Sequence, residues 1–372
     1  MKIAYVAKSN IPSTSANSIH VMKISECFEE LTDSFELIVP EVPDKRNDQE
    51  IFDFYGVENG FPISRIKKKD WKGWYNYYFA VCAIRRILKT KCDAVITRDP
   101  LVAFLCVIYR IHVVLDLHGD LRHLCGRSYR FIKWKKICKS KYFHLVMITH
   151  ALKRYYHDIY GIDQNRITVL PDGYTNWNFE KSDSDNVLKE ERIKIGYCGG
   201  FLVGKGLSLI QQIAAKDAQN IYRLYGGRRE SAEKEIGSVF SANVTFGGYI
   251  PNSQIPDILD QQDILLLPNQ KQLVCKNEDI GKVTSPLKMF EYMASGKVII
   301  ASDLPVLREI LNENNCYFAN PENVNDWIEK IKYISDHRDE AKGKAKKAQE
   351  DVKQYTWYKR AEKMLQLVEN KE

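Results

Sequence analysis

The segment at residues 284–305 decides the fold, and its sequence is T-S-P-L-K-M-F-E-Y-M-A-S-G-K-V-I-I-A-S-D-L-P. Ser285 followed by Pro286 is typical of a helix start, because serine caps helices and proline at the first helical position loses no hydrogen bond. Apolar residues recur at helical spacing over 287–294, and the Ser-Gly pair that follows ends the helix. The apolar run at 298–301 predicts a short buried strand. The segment is therefore predicted to be a helix followed by a strand.

The start of this predicted helix suits a phosphate or another anion. The first N–H groups of a helix have no partner within the helix, and they lie at the positive end of its dipole. Glu291 follows one turn later, beside the apolar face rather than opposite it. From the residues alone, Glu291 is either a solvated charge at the edge of the helix or an acceptor for a pair of vicinal hydroxyl groups.

The composition of the whole chain is typical of a folded protein of two domains. With 372 residues it exceeds the usual size of one domain, and its 44% hydrophobic and 28% charged residues exclude a disordered chain. No apolar run approaches the roughly 18 residues that a membrane span needs, and the N-terminus lacks the apolar region of a signal peptide. The nine cysteines form no C-x-x-C pair, so we expect them to be reduced. We therefore expect a cytoplasmic protein.

Strands and helices alternate through both halves of the chain, which predicts an α/β fold with two Rossmann-like parallel-sheet domains. The first series occupies residues 1–175 and opens with a strand at 2–7. Residues 176–192 are polar and acidic without a periodic pattern, and we interpret them as a linker. A second series occupies 193–354. Residues 355–372 carry apolar positions at helical spacing and predict an amphipathic helix that packs on another element.

Two stretches concentrate the positive charge of a chain whose net charge is +7. The stretch that begins at Arg65 and ends at Lys91 holds nine Lys or Arg, one acid and a run of aromatic residues. The stretch that begins at Leu121 and ends at Lys141 holds eight Lys or Arg and no acid. Both are either solvated helix faces or, as we favour, a surface that meets anionic lipid on the inner face of a membrane. No nucleic-acid-binding module accompanies them, which disfavours nucleic acid as a partner.

A glycine-rich turn, I-G-Y-C-G-G-F-L-V-G-K-G at residues 195–206, joins a predicted strand to a predicted helix. The spacing from Gly199 to Lys205 is that of a P-loop, but Gly206 stands where a Ser or Thr ligates magnesium. The turn also lacks the glycine spacing of a dinucleotide fingerprint. What remains is a backbone that can approach a phosphate at Gly199 and Gly200, beside the single cation Lys205. The alternative is a tight turn with a solvated lysine.

Three polar positions in the first half are candidates for a site or for structural roles. His118 ends a buried strand, where ligands of a doubly wound sheet bind, although a histidine at a strand end is often only structural. Arg98 also follows a strand, and it either forms a salt bridge with Asp99 or Asp120 or reaches a phosphate. His20 is expected in the core or on a helix surface.

The segment S-P-L-K-M-F-E-Y-M-A-S-G-K-V-I-I-A-S-D-L-P with E-I at 309–310 resembles the donor-binding segment of the GT-B glycosyltransferases of family four, which are retaining enzymes. Other motifs agree in order: V-L-P-D-G-Y, Y-C-G-G-x-x-x-x-K-G, G-G-Y-I-P-x-x-x-I-P-D-I-L and D-I-L-L-L-P. The closing Y-T-W-Y-K-R-A-E-K-M-L resembles the family's last helix, which crosses back onto the N-terminal domain. The resemblance is close in the second half and looser in the first. It implies two Rossmann-like domains facing across a cleft.

Carried onto these positions, the resemblance implies a site for a nucleoside diphosphate sugar, with UDP or GDP as the nucleotide. Glu291 would hold the ribose hydroxyls, Lys205 would pair with the diphosphate, and His118 would lie beside the donor sugar. His118 and Lys205 would be the catalytic residues, without a metal or another cofactor. The remaining implied donor-binding positions are Ser15, Ala16, Asn17, Gly199, Gly200, Tyr249, Ile250, Ser285, Pro286, Leu287 and Lys288.

The chain departs from the family pattern in three places. The first Glu of the family's E-x7-E motif is Val283 here, so contacts to the sugar hydroxyls are either missing or supplied by Glu278, Asp279 or Arg98. The arginine that often precedes the phosphate lysine is Gly200. The N-terminal loop has Ser15 and Ala16 where the family commonly has two glycines. These departures bear on which sugar is bound.

The sequence therefore predicts transfer of a hexose from a nucleoside diphosphate sugar to a hydroxyl group of a glycan or a lipid-linked saccharide, with retention of configuration. We expect this reaction to belong to the synthesis of surface polysaccharide or of a glycoconjugate. One alternative is a nucleotide-sugar epimerase of similar build. The other is a non-catalytic GT-B protein that binds a sugar nucleotide or a partner, which Val283 and Gly200 favour.

Overall fold

The computed structural model describes residues 1–69, 74–125, 132–175, 188, 191–275, 278–279, 281–283 and 285–369. The side chains of residues 123, 125, 274–275 and 278–279 lie outside this description. The chain divides into two compact units. The first unit comprises Met1–Gly173 and Trp357–Glu372, and the second comprises Tyr174–Thr356.

The first unit is built on a parallel sheet, with seven strands within the described residues. The strands are β1 (Lys2–Val6), β2 (Ser34–Pro40), β3 (Ile63–Ile66), β4 (Ala94–Thr97), β5 (His112–Leu117), β6 (Phe143–Met147) and β7 (Ile167–Val169). Their order across the sheet is β3-β2-β1-β4-β5-β6-β7. The helices are α1 (Ala16–Leu31), α2 (Asp48–Tyr55), α3 (Tyr75–Thr90), α4 (Pro100–Ile108), α5 (Leu121–Cys125), α6 (Trp134–Ile137) and α7 (His150–Tyr160).

The second unit repeats this architecture with six parallel strands in its described part. The strands are β8 (Lys194–Cys198), β9 (Ile221–Tyr225), β10 (Val244–Gly248), β11 (Ile264–Leu267), the antiparallel pair β12 (Val274–Cys275) and β13 (Glu278–Asp279), β14 (Val298–Ser302) and β15 (Tyr317–Ala319). The order of the parallel strands is β10-β9-β8-β11-β14-β15. The helices are α8 (Leu207–Lys216), α9 (Arg229–Ile236), α10 (Ile255–Asp260), α11 (Leu287–Ala294), α12 (Val324–Asp336) and α13 (Arg338–Val352).

The order of the strands fixes where a ligand can bind in each unit. A parallel sheet covered on both faces has continuously apolar strands, and β4 (A-V-I-T) and β11 (I-L-L-L) are buried along their whole length. The strand order reverses direction between β1 and β4 in the first sheet and between β8 and β11 in the second. Ligands of doubly wound sheets bind outside the carboxyl ends of the strands at such points. A ligand is therefore expected beside the segments that follow β1 and β4 in the first sheet, next to the end of β5, and beside those that follow β8 and β11 in the second.

The fold class predicted from the sequence is confirmed, including the last helix. This helix, α14 (Trp357–Glu369), belongs to the first unit and packs against α1 and β5. The predicted linker at 176–192 falls mostly on residues outside the described ones and stays a prediction. No helix in the described ranges is long and apolar enough to cross a membrane.

The predicted start of α11 needs a correction. The helix begins at Leu287, and Pro286 takes the capping position with the non-helical angles φ −76° and ψ 123°. Ser285 is buried and makes no capping hydrogen bond, so the prediction that it caps the helix was wrong. The predicted strand at 298–301 is present as β14, one residue longer.

Candidate functional site

The glycine turn after β8 is held in place by its own backbone. The N–H of Gly199 donates to the carbonyl of Tyr225, at the end of β9, over 2.9 Å. A Cβ atom on Gly226, where φ is 124°, would lie 2.1 Å from the carbonyl oxygen of Gly199, so only glycine fits. The hydroxyl of Tyr197 donates to the carbonyl of Gly200 over 3.2 Å. The turn therefore has one conformation set by its neighbours.

The later part of the turn explains why the P-loop pattern is incomplete. Gly206 has φ 86°, and a Cβ atom there would lie 2.1 Å from the carbonyl oxygen of Pro268, at the end of β11. A Ser or Thr at this position would clash with the backbone. Gly206 is instead the residue that precedes α8, and it offers no hydroxyl to a metal.

Helix α11 is fastened to the end of β8 through Tyr292. Its hydroxyl accepts from the N–H of Cys198 over 2.7 Å and donates to the carbonyl of Cys198 over 3.2 Å. Both residues are buried, so the two hydrogen bonds are shielded from water. The first turn of α11 consequently lies beside Gly199 and Gly200.

The side chain of Lys288, in that first turn, is buried at 8% exposure. It runs under the glycine turn, and its Cδ atom lies 3.5 Å from where a Cβ of Gly199 would be. Its Nζ atom lies 3.9 Å from the centroid of the Tyr197 ring. Within the described part of the chain, this Nζ has no hydrogen-bond partner. Lys288 thus places a buried amine beside the glycine turn, with its Nζ unpaired in this part of the chain.

Electrostatics connect Lys288 with the lysine of the turn. Burial lowers the pKa of Lys288 well below its usual range, and the positive charge of Lys205 lowers it further. Burying a cation without an anion costs free energy, because the charge loses its hydration. An anion at this place would gain both lysines and the N–H groups at the start of α11. The structure therefore brings together Gly199, Gly200, Lys205 and Lys288 as a site suited to an anion.

The other predicted donor-binding positions of the second unit lie around this turn or outside the description. Tyr249 is 44% exposed and Ile250 is half-buried, and both follow β10, where the carbonyl of Gly248 accepts from the N–H of Gly226 over 2.7 Å. Glu291 is half-buried, and it lies near the end of β8, where burial raises the pKa of Cys198 and the charge of Glu291 raises it further. The side chains of Glu278 and Asp279 lie outside the described residues. Their assignment as sugar contacts stays a prediction.

A group of charged side chains lies inside the first unit, at the carboxyl end of β5, and we call it the histidine cluster (His20, Asp116, His118, Asp172 and Arg360). Asp116 is at its centre. One carboxylate oxygen, Oδ2, lies 3.1 Å from Nε2 of His118, and the other, Oδ1, accepts from Nη2 of Arg360 over 2.7 Å. Arg360 also donates to the carbonyls of Leu170 and Pro171.

His20 completes the histidine cluster from α1. Its Nδ1 lies 3.1 Å from Oδ1 of Asp172, which follows β7. Its ring is nearly perpendicular to that of His118, with centroids 4.7 Å apart, and to that of Trp357, with centroids 4.9 Å apart. The expectation that His20 lies in the core is met, but in a polar cluster rather than an apolar one.

The charges of the histidine cluster shift the pKa values of its members. Arg360 and His118 hold the pKa of Asp116 well below its usual range despite burial, and His118 and His20 lower that of Asp172 to about 2. Burial lowers the pKa of His118 to about 4, and the nearby charge of Arg98 contributes. His118 is therefore neutral at physiological pH. Since Nε2 faces a carboxylate, the proton is on Nε2 and the lone pair is on Nδ1.

Arg98 contributes an unused donor beside the histidine cluster. Its Nη1 atom is buried without a hydrogen-bond partner among the described residues. The salt bridges considered for it are made by other residues: Lys8 lies 2.8 Å from Asp99, and Arg122 lies 2.8 Å from Asp120. Arg98 is thereby left for a ligand at the carboxyl end of the sheet.

The loop before α1 is ordered by its own side chains. Ser15 caps α1, where its hydroxyl accepts from the N–H of Ser18 over 3.2 Å, and the helix begins at Ala16. The side-chain amide of Asn17 donates to the hydroxyl of Ser9 over 3.0 Å. Ser15 and Asn17 thus have structural contacts, and the role of Ser15, Ala16 and Asn17 in binding stays a prediction.

The histidine cluster also brings potential metal ligands together. Ligand atoms of His20, Asp116 and His118 lie within 4.8 Å of one another. Both oxygens of Asp116 already have partners. A divalent cation held by His20, Asp116 and His118 would also lie beside the guanidinium of Arg360, which would repel it. The donor set therefore fits a network of ion pairs better than a metal centre.

Sequence reasoning missed Asp116, Asp172 and Arg360, although two of them carried a signal. Asp116 is an acid inside the apolar strand H-V-V-L-D-L, two residues before His118 and so on the same face of the strand. Arg360 lies on the apolar stripe of α14, three residues after Trp357 and four before Met364. A charge on a buried stripe indicates a buried partner.

Comparison with known proteins identifies relatives of both units. A model of glycosyltransferase family 4 matches residues 18–175, and a model described as glycosyl transferase-like matches residues 208–366. An uncharacterized 41.2 kDa protein from the cps region of Klebsiella pneumoniae is 23% identical over 177 residues, which are 45% of this chain. The matched part spans 46% of that relative's own length.

Several solved structures share the fold over the whole chain. A glycosyltransferase from Rickettsia africae has a TM-score of 0.75 at 15% identity, covering 100% of this chain and 98% of its own. A sucrose-phosphate synthase from Thermosynechococcus elongatus has a TM-score of 0.73 at 15% identity, with coverages of 99% and 98%. Anabaena HepE in complex with UDP and glucose has a TM-score of 0.70 at 13% identity and covers both chains completely. Since glycosyltransferase models match both units and the two-unit fold agrees, this chain belongs to the GT-B glycosyltransferases that are similar to family four.

Proposed function

We propose that the protein transfers a hexose from a nucleoside diphosphate sugar to a hydroxyl group of a glycan or a lipid-linked saccharide, with retention of configuration. The observation that carries the proposal is the pair of lysines, Lys205 and Lys288, beside the glycine turn at the start of α11. The relative from the cps region and the UDP-bound HepE structure support synthesis of a surface polysaccharide or glycoconjugate from such a donor.

The lysine pair would act on the leaving group. As the bond between the anomeric carbon and the phosphate oxygen breaks, negative charge grows on the diphosphate, and fixed cations stabilise it. The acceptor oxygen bonds to the anomeric carbon on the same face, and the departing phosphate oxygen takes the proton of the acceptor. In this scheme Lys205 is catalytic, Lys288 adds a second positive charge, and no separate general base is needed.

Glu291 would hold the nucleoside. It lies one helical turn after Lys288, and its two carboxylate oxygens can accept from vicinal ribose hydroxyls. Tyr249 and Ile250, after β10 at the same edge of the sheet, would line the base. The phosphate end of the donor would then lie against Ser285, Pro286, Leu287 and the glycine turn.

His118 would contact the donor sugar as a neutral imidazole. With its proton on the nitrogen that faces Asp116, it offers the Nδ1 lone pair to a sugar hydroxyl. Arg98, whose buried Nη1 has no hydrogen-bond partner in the described part of the chain, would be a further contact. The transfer would need no metal, because the lysines and the N–H groups of α11 supply the positive charge.

The first unit would also contact an anionic membrane surface. Trp74 is 68% exposed and Tyr77 is 38% exposed at the start of α3, and both belong to the basic stretch at 65–91. An open groove of about 620 Å³ between α4 and α6 is floored by Phe104 and Val107 and edged by Lys133, Lys136 and Lys139. Apolar side chains ringed by lysines suit the boundary between acyl chains and anionic headgroups.

One experiment tests the function as a whole. The protein is incubated with UDP-, GDP- and dTDP-sugars, with and without a chelator, and the products are separated. Slow release of free sugar and nucleoside diphosphate, unaffected by the chelator, supports a metal-independent transferase. Conversion of one nucleotide sugar into another indicates an epimerase, and binding without any reaction indicates a non-catalytic protein. Either of the last two results contradicts the proposal.

A further inference from the structure

One carboxylate in the first unit joins the last helix of the chain to His118. Arg360 of α14 donates to Oδ1 of Asp116 over 2.7 Å, and Nε2 of His118 lies 3.1 Å from Oδ2 of the same residue. The side chains of Arg360 and Asp116 are 2% and 1% exposed. A residue near the C-terminus is thus two contacts away from a proposed catalytic group.

We propose that Arg360 is a positioning residue for His118, and that through Asp116 it fixes the orientation and the neutral tautomer of the imidazole. The inference rests on the proposed function, in which His118 contacts the donor sugar. It adds a role for α14 beyond packing, because an element distant in sequence would set the hydrogen-bonding state of the site.

The contacts of Arg360 fix the geometry of its pair with Asp116. Its guanidinium donates to the carbonyls of Leu170 and Pro171 as well as to Asp116. Three acceptors, one on β5 and two directly after β7, determine the plane of the guanidinium, which in turn orients the carboxylate. A lysine could supply the charge but not this fork of donors.

The charge of Arg360 keeps the imidazole of His118 neutral. A buried carboxylate without a cation would draw a proton onto the imidazole, which would then become a cation with no free lone pair. Among the described residues, the charged or titratable groups around His118 are Asp116 on β5, His20 on α1, Asp172 after β7 and Arg98 after β4, and Arg360 on α14 acts on Asp116. Arg360 neutralises Asp116, so His118 keeps its Nδ1 lone pair.

A purely structural role for Arg360 makes a different prediction. If Arg360 only anchored α14, its loss would lower stability and leave the tautomer and the titration of His118 unchanged. Trp357, which packs against His20 one turn earlier, already gives the helix an anchor at this place. The state of His118 therefore separates the two roles.

The first measurement uses the unmodified protein. In ¹⁵N-histidine-labelled protein, two-bond ¹H–¹⁵N spectra report the tautomer of each imidazole, and His118→Gln assigns the signals of residue 118. We expect His118 to be neutral at pH 7 with its proton on Nε2. A proton on Nδ1 or a charged ring would overturn the inference without any further variant.

The second measurement compares Arg360→Met with Arg360→Lys and, as a matched control on the exposed face of α14, with Lys363→Met. In Arg360→Met we expect the pKa of His118 to rise from about 4 and turnover to fall by on the order of ten- to a hundredfold. The dissociation constant of UDP should change less than about twofold, because the lysine pair is untouched. Arg360→Lys should recover the low pKa of His118 and part of the turnover.

The outcomes distinguish a failure of the positioning role of Arg360 from a failure of the proposed function. A parent protein that releases no sugar from any nucleotide sugar contradicts the proposed function. An active parent whose His118 titration and turnover survive in Arg360→Met contradicts the inference. If Arg360→Met does not fold, Arg360→Lys and the tautomer in the parent decide the question.

Discussion

The Nζ atom of Lys288 lies 3.9 Å from the centroid of the Tyr197 ring and has no hydrogen-bond partner among the described residues. A ring face attracts a cation, but far less than water or an anion does. A positive charge at this position therefore costs free energy without an anion and becomes favourable beside one. Such a trade between stability and binding is expected at a functional site.

The first prediction is that Lys288→Met stabilises the protein and weakens nucleotide binding. The pKa of Lys288 is lowered in the folded state, so the unfolded chain binds this proton more tightly than the folded protein does. This difference lowers the free energy of unfolding at neutral pH. Methionine removes the cost, so the melting temperature should rise. The dissociation constant of UDP should increase roughly ten- to a hundredfold, as for the loss of a charged hydrogen bond.

Thermal unfolding and UDP titration of Lys288→Met check both effects, with Lys234→Met on the exposed face of α9 as the control. The parent should also become more stable as the pH rises toward the usual lysine range, and the variant should lose that slope. A variant that is less stable and binds UDP normally would show that Lys288 is only a packing residue.

The second prediction concerns turnover and Lys205. Lys205→Ala should lower the rate of sugar release by roughly a hundredfold or more, because the charge on the departing diphosphate loses a fixed cation. Single-turnover rates at saturating donor are the measurement, since they separate chemistry from binding. Near-normal turnover would remove Lys205 from the catalytic assignment.

The sequence predicted the sheets better than the covering helices, for a physical reason. Strands such as β4 and β11 are continuous apolar runs, buried along their whole length, and a pattern of this kind marks a strand directly in the sequence. Helices α9 and α13 were not predicted, because their buried faces are made largely of alanine. Alanine at helical spacing amid charged residues gives almost no hydrophobic periodicity.

In the candidate sites, too, the residues that a local sequence pattern does not mark were missed. The glycine turn and Glu291 were found because they lie within short motifs. Arg360 and Asp116 were missed because they are 244 residues apart in the sequence, and each alone is a charge in an apolar pattern. Only folding shows that the two charges neutralise each other.

The third prediction is that acid destabilises the first unit through the histidine cluster. The pKa of His118 is about 4 in the folded protein against an ordinary 6.5, so the unfolded chain binds more protons between these values. Stability should therefore fall as the pH falls from 6.5 to 4. It should fall further toward pH 2, as Asp172 and Asp116 take up protons.

Urea unfolding between pH 7 and pH 4 measures this dependence. His118→Gln should flatten the slope between pH 6.5 and pH 4, whereas His337→Gln, at an exposed position in the second unit, should leave it unchanged. Equal slopes in the parent and in His118→Gln would contradict the assignment of a lowered pKa to His118.

The fourth prediction is that the basic residues of the first unit bind anionic membranes. Replacing Lys67, Lys68 and Lys69 by glutamine should release the protein from vesicles that contain phosphatidylglycerol, by about 1 kcal/mol per lysine. Cosedimentation at low and high salt is the measurement, and neutral phosphatidylcholine vesicles are the control. Binding that ignores both salt and the substitutions would contradict a membrane surface at this place.

The fifth prediction assigns Glu291 to the ribose. If its carboxylate accepts from both ribose hydroxyls, the parent should prefer UDP to 2′-deoxy-UDP by about tenfold, as for one hydrogen bond to a charged group. Glu291→Gln should bind UDP more weakly and lose most of this preference, because the interaction is shared by the two partners. Calorimetric titrations of the parent and of Glu291→Gln with UDP and with 2′-deoxy-UDP give the four dissociation constants from which the coupling is calculated. If the preference for the ribose hydroxyl survives in Glu291→Gln, another residue holds the ribose, and the nucleoside does not lie against this face of α11.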